Sequence, residues 1–318
     1  TGLLDFVNID AGHCWGAPSY VPSSYHAHAE FREFGKAARA DLDGKVVVLF
    51  TGRINDPVLA EQLIRDGYCD LVGMVRAGIA DPEFAVKAKE GRLGEIRRCI
   101  ACTRCIDEAG EPALIPYAPT CSINPVIGNE LRWKEEYRPA ARSRRVLVVG
   151  GGLAGCEAAR VARLRGHQVT LLEQGRRLGG QLLLAARAPG RDSFEDQIYF
   201  EENTLSRLGV EVRLETGADL ATIKRLAPEV VVVATGSTPR TPDDVQGIDA
   251  PQVVQGWEVL GGNVPAGQRV AIISQEDYYE TPCVAEYLAS RGRQVEVFHK
   301  SPHLGWEVAR YSLGMVLN

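Results

Sequence analysis

Arg145-Val146-Leu147-Val148-Val149-Gly150-Gly151-Gly152-Leu153-Ala154-Gly155-Cys156 is an apolar run that breaks into glycines and resumes as a helix-forming stretch. Val146–Val149 predicts a strand, Gly150–Gly155 a tight turn and Cys156–Arg165 a helix. Gly150, Gly152 and Gly155 permit that turn and let a pyrophosphate come close to the helix N-terminus. The next strand, Val169–Leu172, ends at Glu173. An acid about 20 positions beyond the glycines accepts hydrogen bonds from adenosine ribose hydroxyls. Strand, glycines, helix and acid together predict a Rossmann-like dinucleotide-binding domain. A glycine motif alone would be only a packing turn.

Downstream, Leu178-Gly179-Gly180-Gln181 supplies a flexible backbone close to the acid, and Ala234-Thr235-Gly236 ends a strand predicted over Val230–Ala234. Helix Phe194–Leu208 and strand Val210–Leu214 lie between them. A second strand–helix–strand unit opens at Arg269–Ile273 and closes at Val295–Phe298. Its turn, Ser274-Gln275-Glu276-Asp277-Tyr278-Tyr279-Glu280-Thr281-Pro282, has no glycine and carries carboxylates where phosphates would bind. Bulk and like charge both oppose a dinucleotide there, so a degenerate nicotinamide-type domain is expected.

Upstream, residues 1–98 alternate strands (Phe6–Ile9, Val46–Phe50, Asp70–Met74) with helices (Ala29–Arg39, Pro57–Asp66, Pro82–Lys89). That order predicts parallel α/β structure with strands buried on both faces. Three units cannot close a barrel of eight. Thr51-Gly52-Arg53 and Gly73-Met74-Val75-Arg76 each follow a strand, as backbone N–H groups and a cation do in a barrel phosphate site; ordinary loops with surface arginines are the alternative. Asp10, His13, Cys14 and Trp15 follow the first strand, where acid–base or aromatic substrate contacts would stand.

Between the halves, residues 99–145 are loop-rich and end in a charged, aperiodic linker from Arg132 to Arg145. Four of the eight cysteines fall here: Cys99, Cys102, Cys105 and, further on, Cys121. Three thiols spaced by threes can wrap one face of a cube, and a fourth can close it from a later loop. Zinc sites use two separated Cys-x-x-Cys pairs more often, so the spacing favours an iron–sulfur cluster, with zinc or unliganded thiols as alternatives. The isolated Cys14, Cys69, Cys156 and Cys283 read as small buried hydrophobes.

The composition sets outer limits. The chain has 318 residues, 45% of them hydrophobic, with 36 Lys+Arg against 41 Asp+Glu. Such a length holds two or three domains at ~100–200 residues each. A net charge of −5 gives no reason to expect nucleic acid. No apolar run approaches the ~18 residues of a membrane span. Strand-like residues follow Thr1 almost at once, so an internal fragment of a longer, cytoplasmic enzyme is expected.

Taken in order, Thr51–Pro57, Gly73–Arg76 with Ala80-Asp81-Pro82, the four cysteines, Val146–Gly155 and Leu178–Gln181 resemble the trimethylamine dehydrogenase/2,4-dienoyl-CoA reductase group, relatives of old yellow enzyme. The likeness runs through nearly the whole chain. It implies the C-terminal part of an FMN-binding TIM barrel (1–98), an iron–sulfur segment and linker (99–145), the first part of an FAD/ADP domain (146–265) and the start of a degenerate NAD(P)-type domain (266–318). Residue by residue, it implies FMN phosphate contacts at Gly52, Arg53, Gly73 and Arg76. It implies 4Fe–4S ligands at Cys99, Cys102, Cys105 and Cys121, and ADP contacts at Gly150, Gly152, Gly155 and Glu173.

The cysteine spacing and Tyr278-Tyr279-x-x-Pro282-x-x-Ala285-Glu286 resemble the amine dehydrogenase branch. That branch oxidises a C–N bond at FMN and passes electrons through the cluster to an electron-transfer flavoprotein. Expected here is an enzyme acting on an amine or N-methyl amino acid, with Asp10 as the acid–base candidate and a homodimer as a compatible assembly. Gln181 favours FAD over bare ADP. Ala109 replaces a tryptophan of the trimethylamine-binding bowl, although Tyr117 is available in the longer Cys105–Cys121 loop, so trimethylamine itself is disfavoured. The alternatives are an NAD(P)H-dependent enoate or dienoyl-CoA reductase and a non-catalytic electron-transfer module. The fragment alone is expected to turn over little.

Overall fold

The computed structural model describes residues 2–13, 20–106, 120–276, 278–300 and 304. Cys14, Trp15, Ala109, Tyr117 and Asp277, singled out above, lie outside them. The chain forms α/β structure in which, among the described residues, every strand pairing is parallel. Two compact units divide it. One is built mainly on Thr1–Gly128, the other on Asn129–Gln275 with Glu280–Lys300.

In the first unit, β1 (Phe6–Ile9), β2 (Val47–Thr51) and β3 (Leu71–Gly73) form a three-stranded sheet in that order. Helices α1 (Arg32–Leu42) and α2 (Pro57–Arg65) connect β1 to β2 and β2 to β3. Asp56 caps α2 by accepting the Val58 N–H at 2.8 Å, and Pro57 presets the first turn. The core is one-sided. Val48 and Phe50 are fully buried with Ala29, Ile54, Leu63 and Cys69. Helix α1 comes so close that a Cβ on Gly35 would stand 2.6 Å from the Tyr68 carbonyl oxygen.

The other face differs from expectation. Phe6, Val47 and Leu71 are 59%, 40% and 50% exposed, so these strands are not buried on both sides. A parallel sheet is shielded from solvent on both faces only where elements cover both, and here the packed helices cover one. Beyond β3 come α3 (Val75–Ala80), unanticipated in the sequence, and α4 (Phe84–Lys89).

The second unit holds a four-stranded sheet of order β6-β5-β4-β7: β4 is Arg145–Val149, β5 Gln168–Leu172, β6 Glu211–Arg213 and β7 Val230–Val233. Val146, Val148, Val169 and Leu171 project to one face, as alternate strand positions must, and meet Cys156, Ala159 and Leu205. Those three lie on α6 (Leu153–Leu164) and α8 (Phe194–Leu208), which pack on each other; the short α7 (Leu182–Ala185) precedes α8. The predicted aperiodic linker instead contains α5 (Glu130–Glu136). Trp133 and Tyr137 place their rings 5.2 Å apart, and Arg160 of α6 stacks over Tyr137. That tertiary partnership holds a segment whose own sequence carries no amphipathic period.

Helix α9 (Leu220–Leu226) is capped by Asp219, which accepts the Thr222 N–H at 2.7 Å. That bond, first among the causes, holds the Asp219 carboxyl below its ordinary value. A depressed carboxyl contributes stability above its unfolded pKa and loses it as pH falls through the folded one. Asp219→Ala is therefore expected to lower the melting temperature of the second unit at neutral pH, with the difference from the parent vanishing in acid. Thermal melts at neutral and acid pH check this.

The remaining elements are α10 (Gly256–Gly261), β8 (Arg269–Ser274), α11 (Glu280–Ala289) and β9 (Gln294–His299), with β8 and β9 paired in parallel. Among the described residues no helix is long and apolar enough to cross a membrane.

Candidate functional sites: a four-thiol cavity and a glycine turn

Cys99, Cys102, Cys105 and Cys121 line one cavity together with Arg76, Ile79, Ile100, Thr103, Ser122 and Ile123. The loop from Cys99 to Cys105 winds through two left-handed residues that are not glycine, Ala101 (φ 51°) and Thr103 (φ 63°). Such conformations cost about 1 kcal/mol or more each and persist only where surroundings fix them. The surroundings do so here. Asn55, buried at the end of the β2 loop, donates from Nδ2 to the Cys99 carbonyl at 2.6 Å, and Arg98 pairs with Asp56 at 3.1 Å. Thr103 is almost fully buried and donates its hydroxyl to the Cys102 carbonyl.

Asp81, 4% exposed, accepts the Arg97 N–H at 2.9 Å and Lys87 Nζ at 2.7 Å, fixing the approach to Cys99. Asn124 donates to the Ile79 carbonyl and steadies the approach to Cys121.

The sulfurs themselves receive donors. Ala101 N–H donates to Cys99 Sγ at 3.4 Å, and the amides of Ile123 and Asn124 favour a Cys121 thiolate. Burial pushes the bare Cys99 and Cys121 thiols up, and Cys105 up to about 11. The positive charge of Arg76 pulls Cys99 and Cys105 the other way. Among the described residues no three His, Cys, Asp or Glu side chains gather tightly enough for one ion.

The strand-end residues share one edge. Thr51 stands opposite Gly73 and Ile9 opposite Phe50, so Asp10, Gly52–Arg53 and Met74–Arg76 all leave the C-terminal side of the sheet. A Cβ on Gly73 would lie 2.4 Å from Thr51 Oγ1, which explains glycine there. Arg53 takes a left-handed conformation (φ 45°); its Nη1 donates to the Ser24 carbonyl, and its own carbonyl meets His28 Nδ1 at 3.1 Å. Asp10 accepts the Ala11 N–H, and partial desolvation raises its carboxyl above the ordinary aspartate value.

In the second unit, the glycines of the turn do different work. A Cβ on Gly150 (φ 104°) would stand 2.3 Å from the Ala234 carbonyl oxygen, and one on Gly155 1.9 Å from that of Gly150. Gly152 has ordinary dihedrals and nothing within 4 Å of its Cβ position. It is the glycine that leaves open space at the start of α6.

Glu173 accepts the Gly151 N–H and the Gly175 N–H, each at 2.6 Å, so its carboxylate braces the turn. Gly179 donates to the Gly151 carbonyl at 2.8 Å, bringing the double glycine alongside. Gln181 Nε2 donates to the carbonyl and hydroxyl of Ser237, just past Gly236. The turn after β8 is closed by Thr281, which donates to Ser274 Oγ at 2.5 Å with both residues buried.

Asn55 and Asp81 stand within the stretches that carry the family likeness but have no role of their own in the sequence, and Asn124 and Ser237 are not singled out there. Asn55, Asp81 and Asn124 are polar residues that become informative once their burial is known. Ser237 is exposed, and only its place beside Gln181 marks it.

Fold and sites define a class: an α/β protein with a four-thiol cavity in a parallel α/β unit and a dinucleotide-type turn in a second. A family model of pyridine nucleotide-disulphide oxidoreductases matches residues 124–219 and 144–273. The chain is 35% identical over 307 residues to N,N-dimethylglycine/sarcosine dehydrogenase of Chromohalobacter salexigens, covering 93% of this chain and 43% of that one. It is 40% identical over 254 residues to an NADH oxidase of Thermoanaerobacter brockii, covering 79% and 38%. Among solved structures, 2-naphthoyl-CoA reductase superposes with a TM-score of 0.84 at 32% identity, covering 93% and 43%. Over 93% of its length the chain matches relatives in the trimethylamine dehydrogenase/2,4-dienoyl-CoA reductase group. It spans less than half the length of the relatives it matches.

Proposed function

We propose that this chain is the cluster- and nucleotide-binding part of an iron–sulfur flavoprotein oxidoreductase that oxidises an amine or N-methyl amino acid. The four-thiol cavity carries this reading. Cys99, Cys102, Cys105 and Cys121 hold a 4Fe–4S cluster, and Gly52, Arg53, Gly73 and Arg76 hold an FMN phosphate. Gly150, Gly152, Gly155, Glu173 and Gln181 hold FAD or its ADP part. When bound, FMN accepts the two electrons of substrate oxidation, and the cluster passes single electrons to an electron-transfer flavoprotein.

The residues present suit these groups. The thiols surround a cavity and already receive amide donors. The strand-end loops emerge together from one edge, and Gly152 leaves room for a pyrophosphate. The apolar second face at Phe6, Val47 and Leu71 suits the layered interior of a barrel. Asp10, with its raised carboxyl at that edge, is the candidate to take or hold a substrate proton.

A reductase of enoates or dienoyl-CoA thioesters is the second reading, favoured by the likeness to 2-naphthoyl-CoA reductase. It requires NADH or NADPH to reach the second domain. Against this, the turn after β8 has no glycine and carries Glu276 and Glu280. The test is anaerobic flavin absorbance of the full-length protein after adding NADH, NADPH and a panel of N-methylated amines. Bleaching by an amine and by neither nicotinamide is expected. Rapid bleaching by a nicotinamide would replace the first reading with the second.

A further inference from the structure

Arg76 follows β3 on the strand-end edge, yet its side chain lines the four-thiol cavity. Its Nη1 is buried and has no hydrogen-bond partner among the described residues. A buried guanidinium nitrogen without an acceptor costs a few kcal/mol, so such a group marks a place where an acceptor belongs. Sulfur shares that cavity: Cys99 and Cys105 line its wall beside Arg76, and both feel the Arg76 charge.

Arg53, by contrast, is tied by Nη1 to the Ser24 carbonyl on the sheet-edge side. The two arginines of the strand-end loops therefore have different surroundings.

We propose that Arg76 is a positioning residue of the cluster: its guanidinium donates to a sulfur of the bound cluster and raises the cluster's reduction potential. This rests on the cluster reading above. Reduction adds one electron, and thus one negative charge, to the cavity. A fixed cation facing that cavity favours the reduced form, and the low dielectric of a buried site strengthens the effect. Arg76 would then serve the cluster as well as any phosphate beside it.

The test uses the full-length protein, purified anaerobically, with R76Q and R76K. Iron and acid-released FMN are measured separately, and the cluster is titrated potentiometrically by its EPR signal. R76Q is expected to keep its iron and to lower the one-electron reduction equilibrium about tenfold, equal to about 59 mV. R76K, which keeps charge but not the fork, should fall between. Iron loss from a folded R76Q, partly restored in R76K, also supports the proposal.

Wild-type iron and potential in R76Q overturn it, whether or not FMN is lost, because Arg76 would then serve only the phosphate. Should R76Q fail to fold, R76K decides: an altered EPR signal or potential supports the proposal, and unchanged values overturn it. A wild-type protein without iron defeats the cluster reading itself, which is a distinct outcome.

Discussion

Cys121→Ala in the full-length protein is expected to cut its iron content at least tenfold and to remove the visible absorbance of the cluster. The parent should contain about four iron atoms per chain and a similar amount of acid-labile sulfide, as a four-thiolate cluster does. Cys121 reaches the cavity from a loop remote in sequence from Cys99, Cys102 and Cys105. It thus closes the site that the other three begin, and among the described residues no other cysteine lines that cavity. Cys283→Ala is the control, because Cys283 lies buried in the second unit, and its loss should leave iron unchanged. Metal analysis of both variants settles the matter. Full iron in Cys121→Ala, or zinc in the parent, would refute the assignment.

The second large effect separates two glycines of one turn. Gly155→Ala should destabilise the second unit by about 2 kcal/mol or more, since its Cβ would meet a backbone carbonyl oxygen at 1.9 Å. That oxygen belongs to Gly150, which is itself pressed against Ala234, so neither side can yield. Gly152→Ala should leave the melting temperature unchanged, because its dihedrals suit alanine and nothing stands within 4 Å. It should instead reduce bound FAD or ADP at least tenfold, the added methyl filling the space where the pyrophosphate approaches. Melting curves and acid-released nucleotide, measured on both variants, report the two effects independently. Full nucleotide occupancy in Gly152→Ala would show that the ligand does not pass that glycine.

Much of this was legible because the signals are local. The run from Val146 to Gly155 names its own strand and turn, and the structure places β4 at Arg145–Val149. The helix begins three residues earlier than expected, at Leu153, because Gly152 can serve as its N-cap. Asp56-Pro57 marked the start of α2, where cap and proline act within one turn. The failures are non-local. Helix α5 forms in the charged segment read as a linker because Arg160, distant in sequence, stacks on Tyr137. The three strands of the first unit read as doubly buried, yet Phe6, Val47 and Leu71 face outward. Hydropathy cannot tell a face that helices cover from one that they leave open.

By itself, then, the sequence determined the dinucleotide-type turn, the thiol spacing, the alternation of strands and helices and the family. Each is written within a few adjacent residues or in the order of such pieces, where chain geometry leaves little freedom. Only the tertiary structure decided which glycine faces open space and that Glu173 braces its turn. It alone put Asn55 and Asp81 behind the cysteine loop and turned Arg76 towards the thiols. Those are facts about burial and about neighbours remote in sequence. Packing creates them, and no spacing rule along the chain encodes them.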